Sequence, residues 1–307
     1  MKQQYDAIIV GGGPAGYTAA LYMVRAGFET LLVEKLTAGG QMTQTNEIDN
    51  YPGFEEGIDG FTLGMKMQQG AERFGVQTYY GEVTKLELSG ELKSVFADGK
   101  LFQAKVVMLA TGAEHRTLGL AHEESLIGKG VSYCATCDGM FYKGKTVAVV
   151  GGGNSAVSEA LVLSRIVQKV IVVHRRDTLR ASKIYHDRML QMENIEFCWN
   201  SAVQEFLFQD KLTGIKIKNV QTGETQNLDV DGVFICIGRN PASELFREEV
   251  LCDDEGYVIA DETTKTNLPG VFAIGDVRQK SVRQIVTATA DGAVAAYYAE
   301  RYLMGEE

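Results

Sequence analysis

Proline and histidine are scarce, four of each in 307 residues. Against 34 glycines, so little proline points to many tight backbone approaches and to no proline-rich linker. Cysteine is sparse and odd in number, five in all, which excludes the bridged framework of a small secreted domain. Apart from His174-Arg175-Arg176 there is no basic block, and the formal net charge is −10. Nucleic acid and anionic membrane surfaces are therefore poor partners. No apolar run approaches the ~20 residues that a membrane helix requires. The run Ala7–Val10 is too short for a signal-peptide core and ends at once in Gly11-Gly12-Gly13, so it reads as a strand. A cytoplasmic protein is expected. What remains is an ordinary globular composition, 45% hydrophobic and 23% charged, long enough for two domains.

One device occurs twice. Residues 11–16 read GGGPAG and residues 151–156 read GGGNSA. Each follows an apolar, β-branched run (6–10 and 146–150), opens a helical pattern (14–27 and 154–167) and leads to a second strand (30–34 and 169–174). The first glycine permits the turn from strand to helix. The second lets a pyrophosphate approach bare backbone, and the third position must be small for helix and strand to pack. A pyrophosphate then meets the free N–H groups and dipole of the helix N-terminus. One such turn is weak evidence, whereas two in full strand–helix context are strong.

The copies differ at the end of the second strand. The first has Glu34, whose carboxylate suits ribose hydroxyls and repels a 2′-phosphate. The second has His174, then Arg175 and Arg176, with Arg180 beyond, and guanidinium groups bind a phosphate bidentately. The first unit is expected to hold an unphosphorylated adenosine ribose, as in FAD or NAD, and the second NADP(H). A plain solvated basic face, with Asp177 capping a helix, is the competing reading of 174–180.

The strand pattern suggests a discontinuous first domain. A hairpin turning at Asp98-Gly99 precedes a buried strand that ends in Ala110-Thr111-Gly112. A similar ending recurs at 231–241, and a third apolar segment, 269–277, leads into a helical pattern over 283–303 with small residues on one face. The expectation is an α/β chain of two Rossmann-like, three-layer nucleotide-binding domains, the second inserted in the first. The first would comprise 1–114 and 242–307, the second 115–241, with a hinge where the chain crosses twice.

GGGPAG, GGQMTQTNEIDNYPGF, ATGA, CATCDG, GGGNSA, HRRDTLRA and GVFAIGDV…RQ follow one another in this order. In these motifs the chain resembles the bacterial-type, low molecular weight thioredoxin reductases over its whole length. The resemblance implies an FAD domain, a smaller NADPH domain that carries a redox-active disulfide, a homodimer, and transfer of electrons from NADPH to thioredoxin. It implies FAD contacts at Gly11, Gly13, Pro14, Ala15, Gly16, Glu34, Gly40, Gln41, Asn50, Val83, Thr111, Gly275, Asp276 and Gln284. It implies NADPH contacts at Gly153, Asn154, Ser155, His174, Arg175, Arg176, Arg180, Ile237 and Gly238. The chain departs from the family pattern at Ser155, Ile285 and Met140, the last beside Phe141 where the partner protein is expected to touch.

Cys134 and Cys137 are the chain's one C-x-x-C pair. Zinc would require about four ligands, and Cys198, Cys236, Cys252 and the histidines His115, His122, His174 and His186 show no ligand spacing. A covalent haem would need histidine where Asp138 stands. A structural bridge closing so short a loop would stabilise little. A redox-active dithiol is the reading left. By the resemblance, Cys137 faces the flavin and Cys134 is the interchange thiol. Asp138 is a candidate acid, with a plain turn residue as the alternative. A flavoprotein of the same fold serving another dithiol carrier and a non-catalytic flavin redox sensor are the competing functions.

Overall fold

The computed structural model describes residues 2–45, 47–181 and 188–306. The chain divides into two compact units, Met1–Glu114 with Asn240–Glu307, and His115–Arg239. Short strands, Ala113–His115 and Arg239–Pro241, lie at the two crossings and pair with each other.

The first unit is built on a sheet ordered Gln77–Tyr80, Thr30–Glu34, Gln4–Val10, Lys100–Leu109, Lys93–Ala97 and Val83–Glu87. Its left half is parallel. The expected hairpin is present, with both turn residues at positive φ, Asp98 at 47° and Gly99 at 75°. Such a turn matches the twist of the strands it joins. The partner Lys93–Ala97 covers the first half of Lys100–Leu109, and Val271–Ala273 takes over parallel to it from Val107 onward.

Alternation along these buried strands fills two layers. Ile9, Leu32 and Met108 face the helices Pro14–Arg25 and Ile285–Met304, whereas Ile8, Leu31 and Leu109 pack with Phe246, Val250 and Val258 on the other side. The small face expected on the last helix is real: Ala288, Gly292, Ala295 and Ala299 lie against the glycine-turn helix. A Cβ on Gly292 would sit 2.4 Å from the Ala15 carbonyl oxygen, so the two helix backbones nearly touch.

The second unit repeats the parallel core in the order Ile195–Cys198, Lys169–Val173, Thr146–Val150, Gly232–Ile235 and Val131–Ser132. The helix Asn154–Leu163 covers one face through Ala156, Val157, Ala160 and Leu163. A three-stranded antiparallel sheet, Ser201–Phe208, Leu212–Asn219 and Thr225–Asp229, covers the other. The helix is shorter than the 154–167 pattern: its last apolar positions, Ile166 and Val167, belong to tight turns closed by bonds to Leu163. All strands of the five-stranded sheet run the same way. Val150, Val173, Ile235 and Ser132 therefore end on one edge, where open parallel sheets bind ligands.

Candidate functional site

In the first glycine turn Gly11 has φ 108°, and a Cβ there would lie 2.4 Å from the Ala110 carbonyl oxygen. A Cβ on Gly16 would lie 1.9 Å from the Gly11 oxygen, which is the close helix–strand packing that the third position serves. Gly13 caps the helix Pro14–Arg25 without a side-chain bond, and nothing lies within 4 Å of where its Cβ would be. The helix start is thus bare, with Pro14 preset in the first turn. Glu34 Oε2 accepts the Gly12 N–H at 2.6 Å and Oε1 accepts the Leu36 N–H at 3.0 Å. Each oxygen keeps a lone pair for a ribose hydroxyl.

The other candidates of this unit fall in five places. Gly40 and Gln41 open a short helical turn beside the glycine turn, since Gly39 donates to the Gly12 oxygen at 2.8 Å. Thr111 lies next to Gly11 and donates its hydroxyl to the Ala242 oxygen at 2.7 Å. Gly275, ahead of Asp276, approaches Ala15 and donates its N–H to Asp291 at 2.9 Å. Asn50 and Gln284 form a pair of their own, Nδ2 to Oε1 at 3.1 Å. Val83 opens a strand just after Gly81, which donates to the Glu34 oxygen.

The second turn is built alike. Gly151 has φ 146°, and its Cβ would lie 2.3 Å from the Cys236 oxygen. Gly153 caps its helix with open space before it, and Asn154 and Ser155 are exposed in the first turn. His174 occupies the place of Glu34, but through a different contact. Its imidazole is 5% exposed and lies where a Cβ of Gly152 would be. Burial first, with the neighbouring arginine charges, lowers its pKa, so the ring is neutral packing support. Arg175, Arg176 and Arg180 are exposed, and Arg180 is tied to the turn by its N–H to the Gly152 oxygen at 2.6 Å. The segment 175–181 is not helical, so no helix there uses Asp177 as a cap. Ile237 and Gly238 follow the strand that ends beside Gly151. Bare helix starts, open space before the capping glycine and an exposed cationic rim fit a dinucleotide at each turn, and the rim fits a phosphorylated one at the second.

Cys134 and Cys137 form a disulfide on the same sheet edge, their Cα atoms 5.3 Å apart. The edge strand Val131–Ser132 delivers the chain to Cys134, which caps the short helix Ala135–Asp138. Gly139 is seated on Leu163 and Ile166, so the helix Asn154–Leu163 and the turn after it back this segment. Both cysteines are half-buried. Asp138 donates its N–H to the Cys134 oxygen at 3.1 Å, and Asp138 Oδ2 accepts the Ser132 hydroxyl at 2.6 Å. That hydroxyl oxygen in turn accepts the Cys134 N–H at 3.1 Å. Burial raises the Asp138 pKa and the Ser132 bond opposes the rise. A carboxyl with a raised pKa next to the cysteine pair is better suited to give a proton to a thiolate leaving group. Met140 and Phe141, 61% and 44% exposed, form an apolar lip next to the pair.

Cys198, Cys236 and Cys252 are free thiols, and burial raises all three pKa values. Among the described residues no three His, Cys, Asp or Glu come together as a metal would require; His186 lies outside them. Sequence reasoning missed Ser132, Glu159 and Asp291. Ser132 alone carried a signal, a hydroxyl two residues before the C-x-x-C. The other two reach their sites only through tertiary packing.

No described helix is long and apolar enough to cross a membrane. The pyridine nucleotide-disulphide oxidoreductase family model matches residues 5–292. A thioredoxin reductase of Listeria monocytogenes is 50% identical over 300 residues, covering 97% of this chain and 94% of that one. A solved thioredoxin reductase of Streptococcus pyogenes superposes with a TM-score of 0.94 at 44% identity, covering 99% and 100% of the two chains. That of Lactococcus lactis, described as in the FR conformation, gives 0.68 at 45% identity, covering 98% and 99%.

Proposed function

The chain belongs to the pyridine nucleotide-disulphide oxidoreductase family, and from that premise we propose that it is a thioredoxin reductase, reducing thioredoxin at the expense of NADPH through FAD and the Cys134–Cys137 disulfide. The observation that carries this reading is the disulfide itself, closed over one helical turn beside a half-buried acid and an exposed apolar lip. FAD would be held by the turn Gly11–Gly16 with Glu34, Gly40, Thr111 and Gly275, and NADPH by Gly153–Ser155 with Arg175, Arg176 and Arg180. FAD held there would supply the electron pair that opens the disulfide, drawn from NADPH as hydride.

The chain's own residues do the rest. As the sulfur–sulfur bond opens, Asp138 gives its carboxyl proton to the thiolate released. Cys134 Sγ returns that proton to Asp138 as it attacks one sulfur of the oxidised thioredoxin, forming a mixed disulfide and expelling one thioredoxin thiolate, which takes the proton from Asp138. Cys137 attacks Cys134 Sγ, the intramolecular disulfide re-forms, and the second thioredoxin thiolate leaves. Two electrons pass to the partner; its second thiolate takes the proton that Cys137 gives up on attacking, Asp138 regains its own from solvent, and the dithiol returns to its oxidised form. Met140 and Phe141 provide the surface for that partner.

The sulfurs must meet an electron donor and a protein-sized acceptor in turn. Rotation of His115–Arg239 about the two crossing strands meets this need. Solved relatives of nearly equal identity that superpose so unequally fit chains whose units move as bodies. A crosslink between the units should stop turnover and leave bound FAD intact; undiminished turnover would refute the rotation. A homodimer belongs to the same reading, and the mass in solution tests it. The test of the function is NADPH oxidation with thioredoxin, with NADH and a glutaredoxin-like carrier as comparisons. Thioredoxin-dependent oxidation selective for NADPH is expected, and its absence sinks the proposal.

A further inference from the structure

The dithiol turn is held from outside by a carboxylate to which the exchange steps give no role. Glu159, on the helix Asn154–Leu163, accepts the backbone N–H of Ala135 and is also bonded by that of Thr136. These are the opening donors of the helix Ala135–Asp138, which has no side-chain cap of its own. First-turn N–H groups have no intrahelical partner. At a cysteine on a helix N-terminus they are the groups that ordinarily stabilise a thiolate. Here the carboxylate of a second helix has taken them. Burial raises the Glu159 pKa, while the two N–H groups and the charge of Arg239, which stands on one of the crossing strands, oppose the rise; Asp138 and the buried Cys236 lie near.

We propose that Glu159 is the positioning residue of the dithiol: by occupying the Ala135 and Thr136 N–H groups it fixes the turn that brings Cys134 and Cys137 together and withholds those donors from the Cys134 sulfur. The proposal rests on the reading of the pair as a redox dithiol. Its chemical consequence is direct. A thiolate forming at Cys134 keeps the Thr136 hydroxyl, 3.3 Å from its sulfur, but finds the helix-start N–H groups taken by the half-buried Glu159 carboxyl. The reduced form is therefore less stabilised as an anion than free helix-start N–H groups would make it, and a dithiol whose reduced form is less stabilised is the stronger reductant. That suits a group that must pass electrons onward.

The test is alkylation of the reduced holoenzyme by iodoacetamide across pH, with Cys134 followed by peptide mass. The other charges that act on Glu159, Asp138 on the dithiol helix and Arg239 on the crossing strand, are unchanged in Glu159→Gln. That variant keeps the volume and one acceptor oxygen and removes the charge. Its alkylation midpoint should fall by about one pH unit while FAD content and Tm stay near wild type. A midpoint that does not move, or rises, overturns the proposal. A second measurement needs no variant: in the oxidised wild type the Ala135 and Thr136 amides should exchange hydrogen slowly, and exchange at the rate of free amides overturns it. Neither measurement uses thioredoxin. Failure of the functional reading would instead appear as missing thioredoxin-dependent NADPH oxidation with the midpoint shift intact.

Discussion

Ser132 donates its hydroxyl to Asp138 Oδ2 at 2.6 Å, and this bond tunes the acid of the dithiol. Burial favours the protonated carboxyl, and the Ser132 bond favours the carboxylate. Ser132→Ala should therefore raise the Asp138 pKa further. In the proposed role the protonated form is the working one, so activity should fall as pH rises through that pKa, and the variant should move this limb of the pH–rate profile to higher pH. Asp138→Asn should lower kcat by about 100-fold. A raised carboxyl pKa stabilises the fold only at low pH. That contribution is complete below the ordinary carboxylate value and is lost as pH rises through the raised one. Asp138→Asn should thus leave Tm at neutral pH unchanged or higher, which separates the catalytic effect from misfolding.

The two kinds of glycine in the first turn predict opposite failures. Gly16→Ala would put a Cβ 1.9 Å from backbone oxygen, and Gly13→Ala would put one in open space. The first should destabilise the protein by about 3 kcal/mol, visible as a lower Tm even without FAD. The second should leave the apoprotein's Tm unchanged and weaken FAD, because the new methyl stands where the pyrophosphate must approach the helix start. Titration of apoprotein with FAD, alongside calorimetry, distinguishes them.

Arg175 and Arg176 are exposed at the end of the strand Lys169–Val173. A charge-assisted bond to phosphate contributes about 1.5–3 kcal/mol. Changing both to Ala should raise the KM for NADPH by roughly 100-fold and leave kcat and the NADH parameters nearly unchanged. Steady-state kinetics with both nucleotides checks this.

A buried charge cluster supports the Gly275 loop. Asp291 accepts Arg278 through two bonds, 2.9 and 2.8 Å, Lys280 at 2.9 Å and the Gly275 N–H at 2.9 Å. Burial alone would raise the Asp291 pKa, but the bonds from Arg278 and Lys280 outweigh it and hold it below the ordinary value. Its contribution to stability is present above the unfolded carboxylate value and is lost as pH falls through the depressed one. Asp291→Asn leaves two buried cations under-compensated and should cost about 3–5 kcal/mol, with FAD affinity falling as the loop loosens. Denaturant unfolding at pH 7 and again near pH 3 should show the difference between variant and wild type shrinking at the lower pH.

The glycine turns were legible because every part of them is contiguous: strand, turn, helix and second strand, with Thr30–Glu34 and Thr146–Val150 ending where their apolar runs end. The Asp98-Gly99 hairpin was legible for the same local reason. The antiparallel layer over Ser201–Asp229 was not, because glycine-turn logic says nothing about what covers a sheet's far face. Glu34 and His174 hold matching places, yet only the structure shows one bonded to its glycine loop and the other packed on it. Ser132 and Glu159 meet the dithiol from an edge strand and a neighbouring helix; Ser132 is marked only by its place two residues before the pair, and chain spacing carries no sign of Glu159.

The central claim is that Cys134 and Cys137 carry electrons from NADPH to thioredoxin. The most direct measurement is NADPH oxidation with oxidised thioredoxin by wild type and Cys134→Ser, with flavin absorbance followed in the same samples. The account predicts that Cys134→Ser still binds FAD and bleaches it with NADPH but reduces no thioredoxin. Thioredoxin reduction by Cys134→Ser at a rate near wild type would contradict it.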